Sequence, residues 1–106
     1  MRRGDVIWAD LGPPAGRRPT LVLTRDVAIP VLSAVVVAPI SRTRRGIASE
    51  VKLGVDEGLP RECAASCDNL LTVPKMLLDR EPAGRLTEPG LLTLDAALRF
   101  ALGIRY

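Results

Sequence analysis

Histidine is absent from this chain of 106 residues. Histidine is the side chain that ordinarily changes its protonation near neutral pH. Its absence therefore excludes Ser-His-Asp and Cys-His nucleophilic catalysis, and any nuclease that works with a histidine pair. Any chemistry in this protein must depend on groups other than imidazole.

Long apolar runs are missing as well, since no stretch approaches the ~20 residues that a membrane-spanning helix needs. The basic residues at positions 2 and 3 lead into a short apolar stretch that ends at Asp10, which is not the pattern of a secretory signal. We therefore expect a cytoplasmic protein with no membrane partner. The length suits one domain, residues 1–106, with one modest core.

Cysteine is scarce, with Cys63 and Cys67 alone in the chain. On one strand their Cα atoms lie ~13 Å apart at ~3.3 Å per residue, whereas a disulfide requires about 7 Å or less. Two thiols are also too few for a structural zinc site. We interpret both as small buried thiols, and we expect neither a bound metal nor another cofactor.

The net charge of +3 is unevenly distributed along the chain. Residues 17–45 contain six arginines and one acid, a local net charge of +5, whereas residues 50–69 have a local net charge of −3. The guanidinium group offers a planar fork of donors that matches phosphate. The basic segment indicates either a phosphate-binding face or the solvated surface of a mildly basic protein, and composition alone does not separate the two.

Strand patterns occupy the first two-thirds of the chain. Apolar and β-branched residues cluster at 6–11, 20–24, 32–40, 50–53 and 62–71, which is typical of short strands. The Gly and Pro residues within 12–16 predict a turn between the first two. Because no helix-length segment separates these strands, we expect them to pair antiparallel.

The last quarter of the chain changes to a helical period. Thr87 is the predicted N-cap and Gly103 the predicted stop. Between them, apolar residues recur at spacings of three and four, which is one face of a helix. They are Leu91, Leu94, Leu98, Ala101 and Leu102. The predicted fold is mainly β, a small antiparallel barrel with a C-terminal α-helix.

Four segments carry a likeness to a known family, in the same order along the chain. They are residues 3–11, an opening strand; residues 16–23, a glycine, Arg-Pro and an aliphatic run; residues 37–41, a strand ending in a hydroxyl residue; and residues 66–75, after the acidic segment. Together they resemble the MazF family of toxin endoribonucleases, also called PemK or Kid-like toxins. The resemblance implies an SH3-like barrel, shared with the gyrase toxin CcdB, and a toxin of a type II toxin–antitoxin system that cleaves single-stranded RNA.

The resemblance also implies catalytic residues. The family's catalytic arginine, which precedes the signature proline, falls on Arg18, and its hydroxyl partner falls on Ser41, where threonine is frequent in the family. RNA cleavage without a metal uses the substrate's own 2′-hydroxyl as nucleophile, so charge develops on the phosphate oxygens. Arg18 suits the stabilisation of that charge, but its pKa, above about 12, excludes it as a general base. The sequence identifies no general base.

The first loop departs from the family pattern. Only residues 12–17 stand where many members have a longer, glutamate-containing insert. No role for a loop acid can therefore be transferred to this chain, and a shorter loop would leave the substrate groove more open.

Six further residues are expected to contact RNA. They are Arg17, Arg42, Arg44, Arg45, Asp68 and Asn69. The arginines would follow the RNA backbone, and the acid and the amide would read base edges. Each also has a structural alternative, a solvated loop for the arginines and an Asx turn for Asp68 and Asn69. Trp8 is interpreted as a core residue rather than a stacking platform.

The resemblance also implies partners: a two-fold homodimer with RNA in a groove along its interface, and a cognate antitoxin. The basic residues 17–45 would attract an acidic, partly disordered antitoxin segment that competes with RNA. Two other functions stay open, a CcdB-like toxin that binds gyrase without cutting RNA, and a non-catalytic barrel that binds nucleic acid. An RNA-cutting toxin needs Arg18 and Ser41 together, whereas a gyrase-binding toxin needs neither.

Overall fold

The computed structural model describes residues 1–105. In this range the chain forms seven strands, two short 3-10 helices and one α-helix. The strands are β1 (Asp5–Asp10), β2 (Arg17–Val22), β3 (Ala34–Ser41), β4 (Glu50–Leu53), β5 (Cys63–Ser66), β6 (Leu71–Pro74) and β7 (Gly84–Arg85); the 3-10 helices span Val55–Glu57 and Lys75–Leu77, and α1 spans Glu88–Leu102.

One curled antiparallel sheet contains these strands. Its order is β4-β5-β3-β2-β1-β7, and β6 pairs with β3 beside this path. Strand β3 changes partner along its length, since Val35 pairs with β6, Ala38 with β2 and Ile40 with β5. A strand that passes from one set of neighbours to another makes a corner in the sheet. The predicted antiparallel barrel is therefore confirmed as an open half-barrel.

Apolar residues on the two faces of the central strands form two cores, because side chains alternate along a strand. Val6 of β1 belongs to a cluster that includes Leu94 of α1. The neighbouring Ile7 belongs to a second cluster, which includes Ile29 and Leu78 from the loops on the other face. Both cysteines are free, buried thiols, as predicted.

Helix α1 begins and ends where the sequence predicts. The Thr87 side chain accepts a hydrogen bond from the Gly90 amide at 3.3 Å, and Gly103 takes the left-handed conformation, with φ 65°. Leu94 is buried, but Leu102 is 56% exposed, so its predicted place on the core face is wrong because the helix ends there. Within residues 1–105, no helix is both long and apolar enough to cross a membrane.

Two of the strand predictions differ most from the structure. The pattern at 62–71 is interrupted by a turn between β5 and β6, in which the Asn69 amide Nδ2 donates to Ser66 Oγ at 2.9 Å. Strand β2 begins at Arg17 rather than residue 20, because its pairing with β1 continues through Pro19 and Arg18. Arg17 and Arg18, for which a role in the site was predicted, therefore lie on a strand and not in a loop.

Candidate active site

An open cleft of about 480 Å³ lies where β2 and β3 separate. The last residues that pair these strands are Thr20 and Pro39. Beyond them β3 turns to β5, with Ser41 opposite Ala64, whereas β2 continues beside β1, with Arg18 opposite Ala9. The divergence of two strands that were paired opens the cleft between them.

Arg18 and Ser41 both line this cleft. Arg18 stands two residues before Thr20, and Ser41 stands two residues after Thr20's partner Pro39. Because side chains alternate along a strand, the two occupy the same face at the same distance from the last pair. The antiparallel register therefore brings together two residues that are 23 positions apart in the sequence.

The short first loop holds the Arg18 side chain from one side. Arg18 Nε donates to the Ala15 carbonyl at 3.0 Å. The loop is closed by two backbone hydrogen bonds, Gly16 to Gly12 at 2.7 Å and Leu11 to Gly16 at 2.9 Å. In residues 1–105 no carboxylate forms an ion pair with Arg18. Its two terminal nitrogens are thus available to an anion in the cleft.

The Ser41 hydroxyl has a local partner. It donates to the Thr43 carbonyl at 3.3 Å, a long distance for an O–H···O bond. To donate to a substrate phosphate, Ser41 must give up this contact. The structure places Ser41 beside Arg18 but shows the self-contained hydrogen bond that a serine at a strand end commonly makes.

Arg17 also lines the cleft, but its charge is already paired. Its Nη1 and Nη2 donate to the two carboxylate oxygens of Asp79 at 2.9 Å and 2.5 Å. These hydrogen bonds raise the pKa of Arg17 and lower that of Asp79. The guanidinium carbon lies 5.6 Å from the centre of the Trp8 ring, within the range of a cation–π contact.

Trp8 is not a core residue, and that interpretation of the sequence is corrected. It is half-buried and lines the cleft beside Pro19, its register partner on β2. Its neighbours on β1, Ile7 and Ala9, are fully buried in the opposite cluster. Trp8 lines the cleft, whereas neither of these neighbours does.

The three arginines after β3 have different surroundings. Arg42 lines the cleft and has no ion pair within the described chain. Arg44 lies outside the cleft and pairs with Glu62 at 2.8 Å. Arg45 is exposed, and its backbone amide donates to Glu50 Oε1 at 2.9 Å. The structure therefore brings one of the three beside Arg18 and Ser41.

Asp68 and Asn69 also lie outside the cleft, in the turn between β5 and β6. Asp68 Oδ2 accepts the Ser49 hydroxyl at 2.5 Å, and the Asn69 side chain donates to Ser66. The Asn69 contact fits the local-turn alternative, whereas Asp68 is held by a residue 19 positions away in the chain. A role in reading bases stays a prediction for them.

The sequence analysis missed Arg61, which lines the cleft on the wall opposite β2. It lies in the segment with a net negative charge, so charge distribution pointed away from it. The cleft thus contains four arginines, namely Arg17, Arg18, Arg42 and Arg61, and no carboxylate. Elsewhere in residues 1–105, no three His, Cys, Asp or Glu side chains are grouped as a metal site requires.

Known proteins with the same sequence pattern identify the family. The family model described as the PemK-like, MazF-like toxin of type II toxin-antitoxin systems matches residues 2–102. The probable endoribonuclease MazF5 of Mycobacterium tuberculosis is 40% identical over 102 residues, which cover 94% of this chain and 91% of the relative. The chain belongs to the PemK/MazF toxin family.

Other PemK/MazF proteins agree in sequence and in fold. The probable endoribonuclease MazF2 of M. tuberculosis is 43% identical over 81 residues, 76% of this chain and 78% of the relative. The solved toxin MazF-mt6 of M. tuberculosis is 36% identical with a TM-score of 0.88, covering 96% of this chain and 99% of that one. A mycobacterial endoribonuclease solved with its cognate antitoxin is 28% identical with a TM-score of 0.85, covering 100% and 98%. The resemblance found in the sequence is confirmed.

Proposed function

We propose that this PemK/MazF family member is a toxin that cuts single-stranded RNA without a metal ion and is inhibited by a protein antitoxin. The observation that carries the proposal is the cleft that Arg18 and Ser41 line together. Three further arginines and no carboxylate line the same cleft. Such a site binds a phosphodiester and favours the build-up of negative charge on it. The relatives MazF2 and MazF5, both named probable endoribonucleases, support the same activity.

In the proposed reaction, the 2′-oxygen attacks the adjacent phosphorus and the bond to the 5′-oxygen breaks. The 2′-hydroxyl loses a proton and the leaving 5′-oxygen gains one, which yields a 2′,3′-cyclic phosphate and a 5′-hydroxyl. Arg18 donates from its two terminal nitrogens to the oxygens on which charge develops. Ser41 donates to the same phosphate after releasing the Thr43 carbonyl, and so helps to orient it.

The partners of the proposed toxin follow from its surface and its relatives. A mycobacterial relative was solved with its cognate antitoxin, and an acidic, partly disordered antitoxin segment would compete with RNA for the uncompensated arginines of the cleft. The outer face of α1 exposes Leu92 and Phe100, at 69% and 65%, which favours a homodimer that covers apolar surface. We place this RNA-cutting toxin in the cytoplasm, with its substrate.

Binding of gyrase without RNA cleavage is not favoured. The matching family model is the PemK-like, MazF-like one, and the curated relatives are named endoribonucleases. A protein that only binds gyrase has no need for Arg18 and Ser41 at the end of two diverging strands.

The test is incubation of the purified protein with a long single-stranded RNA in excess chelator, followed by analysis of the new ends. We expect discrete cuts that leave 2′,3′-cyclic phosphate and 5′-hydroxyl ends, and almost none with Arg18→Ala. Primer extension on the same RNA maps the cut sequence. Loss of cutting in chelator with recovery on adding a divalent metal would contradict the metal-free mechanism, and no cutting under any condition would contradict the nuclease assignment.

A further inference from the structure

The cleft has two walls, and the sequence pattern of the family accounts for one of them. Arg18 and the first loop form the β2 wall, whereas residues 59–63, which lead into β5, form the opposite wall. Arg61 is the single charged side chain of that segment in the cleft, since Glu62 lines a different depression with Arg44. An RNA strand held against Arg18 therefore lies opposite Arg61.

The backbone on both sides of Arg61 is fixed. Leu59 and Cys63 are buried, at 3% and 5% exposure, and the Cys63 thiol donates to the Arg61 carbonyl at 3.5 Å. Pro60, directly before Arg61, has a restricted φ. Arg61 itself is exposed. The side chain thus projects into solvent from a rigid base, which reduces the ordering cost of binding a ligand.

A close backbone contact holds the start of this wall against β7. Gly58 has φ 85°, and a Cβ atom on it would lie 2.0 Å from the Ala83 carbonyl oxygen. No side chain can occupy that position without moving the backbone. The start of the wall is therefore fixed in position relative to β7.

The charge of Arg61 is not neutralised by its surroundings. Within residues 1–105 it has no ion pair, and its acidic neighbour Glu62 is paired with Arg44 at 2.8 Å. The Arg44–Glu62 pair lies on the other side of the wall, so it keeps the carboxylate away from the cleft. An exposed arginine that has no acidic partner and whose backbone is held in place is suited to bind a phosphate.

We infer that Arg61 binds a phosphate of the RNA strand next to the one that is cut. The inference rests on the proposed function, because it assumes that a single-stranded RNA occupies the cleft. Arg61 acts in binding and positioning, while Arg18 acts on the reacting phosphate.

The test uses an RNA oligonucleotide across a mapped cut site, with a 2′-deoxy sugar at the cut so that it binds without being cleaved. Arg61→Ala should weaken binding by about tenfold and lower the slope of log affinity against log salt by about 0.7. Arg25→Ala is the matched control, because Arg25 is also exposed and removes the same charge outside the cleft. Its binding should stay within about twofold of the wild type, as ordinary surface changes do.

Cleavage of the all-ribose oligonucleotide at saturating protein separates binding from chemistry. The Arg61→Ala rate should stay within about threefold of the wild type, because the lost contact is made equally before and during the reaction. Binding by Arg61→Ala that matches Arg25→Ala would overturn the inference, as would a large loss of rate with unchanged binding. If the wild-type protein binds single-stranded RNA but cuts none, no cut site can be mapped and the proposed function is refuted. The comparison of Arg61→Ala with Arg25→Ala on that RNA then still tests whether Arg61 binds the strand.

Discussion

The cleft and the surface beside it contain the same kinds of side chain but differ in what balances their charges. In the cleft, Arg18 and Arg42 have no carboxylate partner among residues 1–105. Beyond its rim, Arg44 pairs with Glu62 and Asp68 is bonded to Ser49. Arg18 and Arg42 are therefore available to an anion in the cleft, whereas Arg44 beyond the rim is already paired.

Arg17 combines the two properties, because it lines the cleft and is also paired with a carboxylate. It lines the cleft, yet Asp79 occupies its two terminal nitrogens. Exposed ion pairs are weak, typically up to about 1 kcal/mol, so a phosphate can displace the carboxylate. The comparison teaches that a paired arginine binds a phosphate less favourably than an unpaired one, because the carboxylate must first be displaced.

The largest effect is expected at the unpaired arginine nearest the proposed reacting phosphate. Arg18→Ala should reduce single-turnover RNA cleavage about 100- to 1000-fold, because one donor placed at developing charge is worth roughly 3–4 kcal/mol. The thermal unfolding midpoint should stay close to that of the wild type, since Arg18 is exposed. Near-normal cleavage by a folded Arg18→Ala protein would refute its assignment.

A smaller effect, on RNA affinity, distinguishes the cleft from the surface beside it. Arg42→Ala should weaken RNA binding and lower the salt slope by about 0.7, because Arg42 is uncompensated in the cleft. Arg44→Ala removes the same charge from a side chain that is already paired, so its direct loss should be smaller. Anisotropy titrations with one fluorescent RNA at several salt concentrations measure both, and equal losses would contradict the distinction between paired and unpaired arginines.

Ser41→Ala should reduce cleavage only about fivefold, since a neutral hydrogen bond contributes about 1 kcal/mol. Ser41→Thr keeps the hydroxyl and is the matched control, with cleavage near the wild-type level. If Ser41→Ala and Ser41→Thr lose activity equally, the effect comes from packing at the end of β3 and not from the hydroxyl.

A separate effect, away from the cleft, concerns stability at high pH. Burial, together with the charge of Asp68, raises the pKa of Cys67 to about 11, whereas a free thiol has a pKa of about 8.5. Since the folded protein holds this proton more tightly, the contribution is complete below the unfolded pKa and is lost as the pH rises toward the folded one.

Denaturant unfolding between pH 8 and pH 11 measures this contribution. The free energy of unfolding should fall with pH more steeply for the wild type than for Cys67→Ala, which has no thiol to ionise at that position. Parallel curves for the two proteins would show that folding does not raise the pKa of the Cys67 thiol.

Local sequence patterns predicted the strands and the helix because caps, periods and turn residues act over a few positions. Thr87 and Gly103 fix the ends of α1 without help from the rest of the chain. The turn that divides β5 from β6 was expected only as an alternative for Asp68 and Asn69, since the apolar run through residues 62–71 indicated a single strand. The opening of the half-barrel also escaped prediction, because it depends on β3 changing partners.

The residues of the candidate site could be predicted where a family motif contains them. They could not be predicted where they interact with residues far away in the sequence. The resemblance to the family placed the predicted catalytic arginine on Arg18 and its predicted hydroxyl partner on Ser41. The pairing of Arg17 with Asp79 joins residues 62 positions apart, and no local signal announces it. Arg61 stands in an acid-rich segment whose other charges turn away from the cleft, which only the folded chain reveals.

The central claim is that the Arg18–Ser41 cleft cuts RNA through the substrate's own 2′-hydroxyl. The most direct measurement compares two oligonucleotides across a mapped cut site, identical except for one 2′-deoxy sugar on the 5′ side of the cut. The account predicts that both bind with similar affinity and that the all-ribose oligonucleotide alone is cleaved at that position. Cleavage of the deoxy oligonucleotide at the same bond would contradict the account, because no 2′-oxygen is then present to attack.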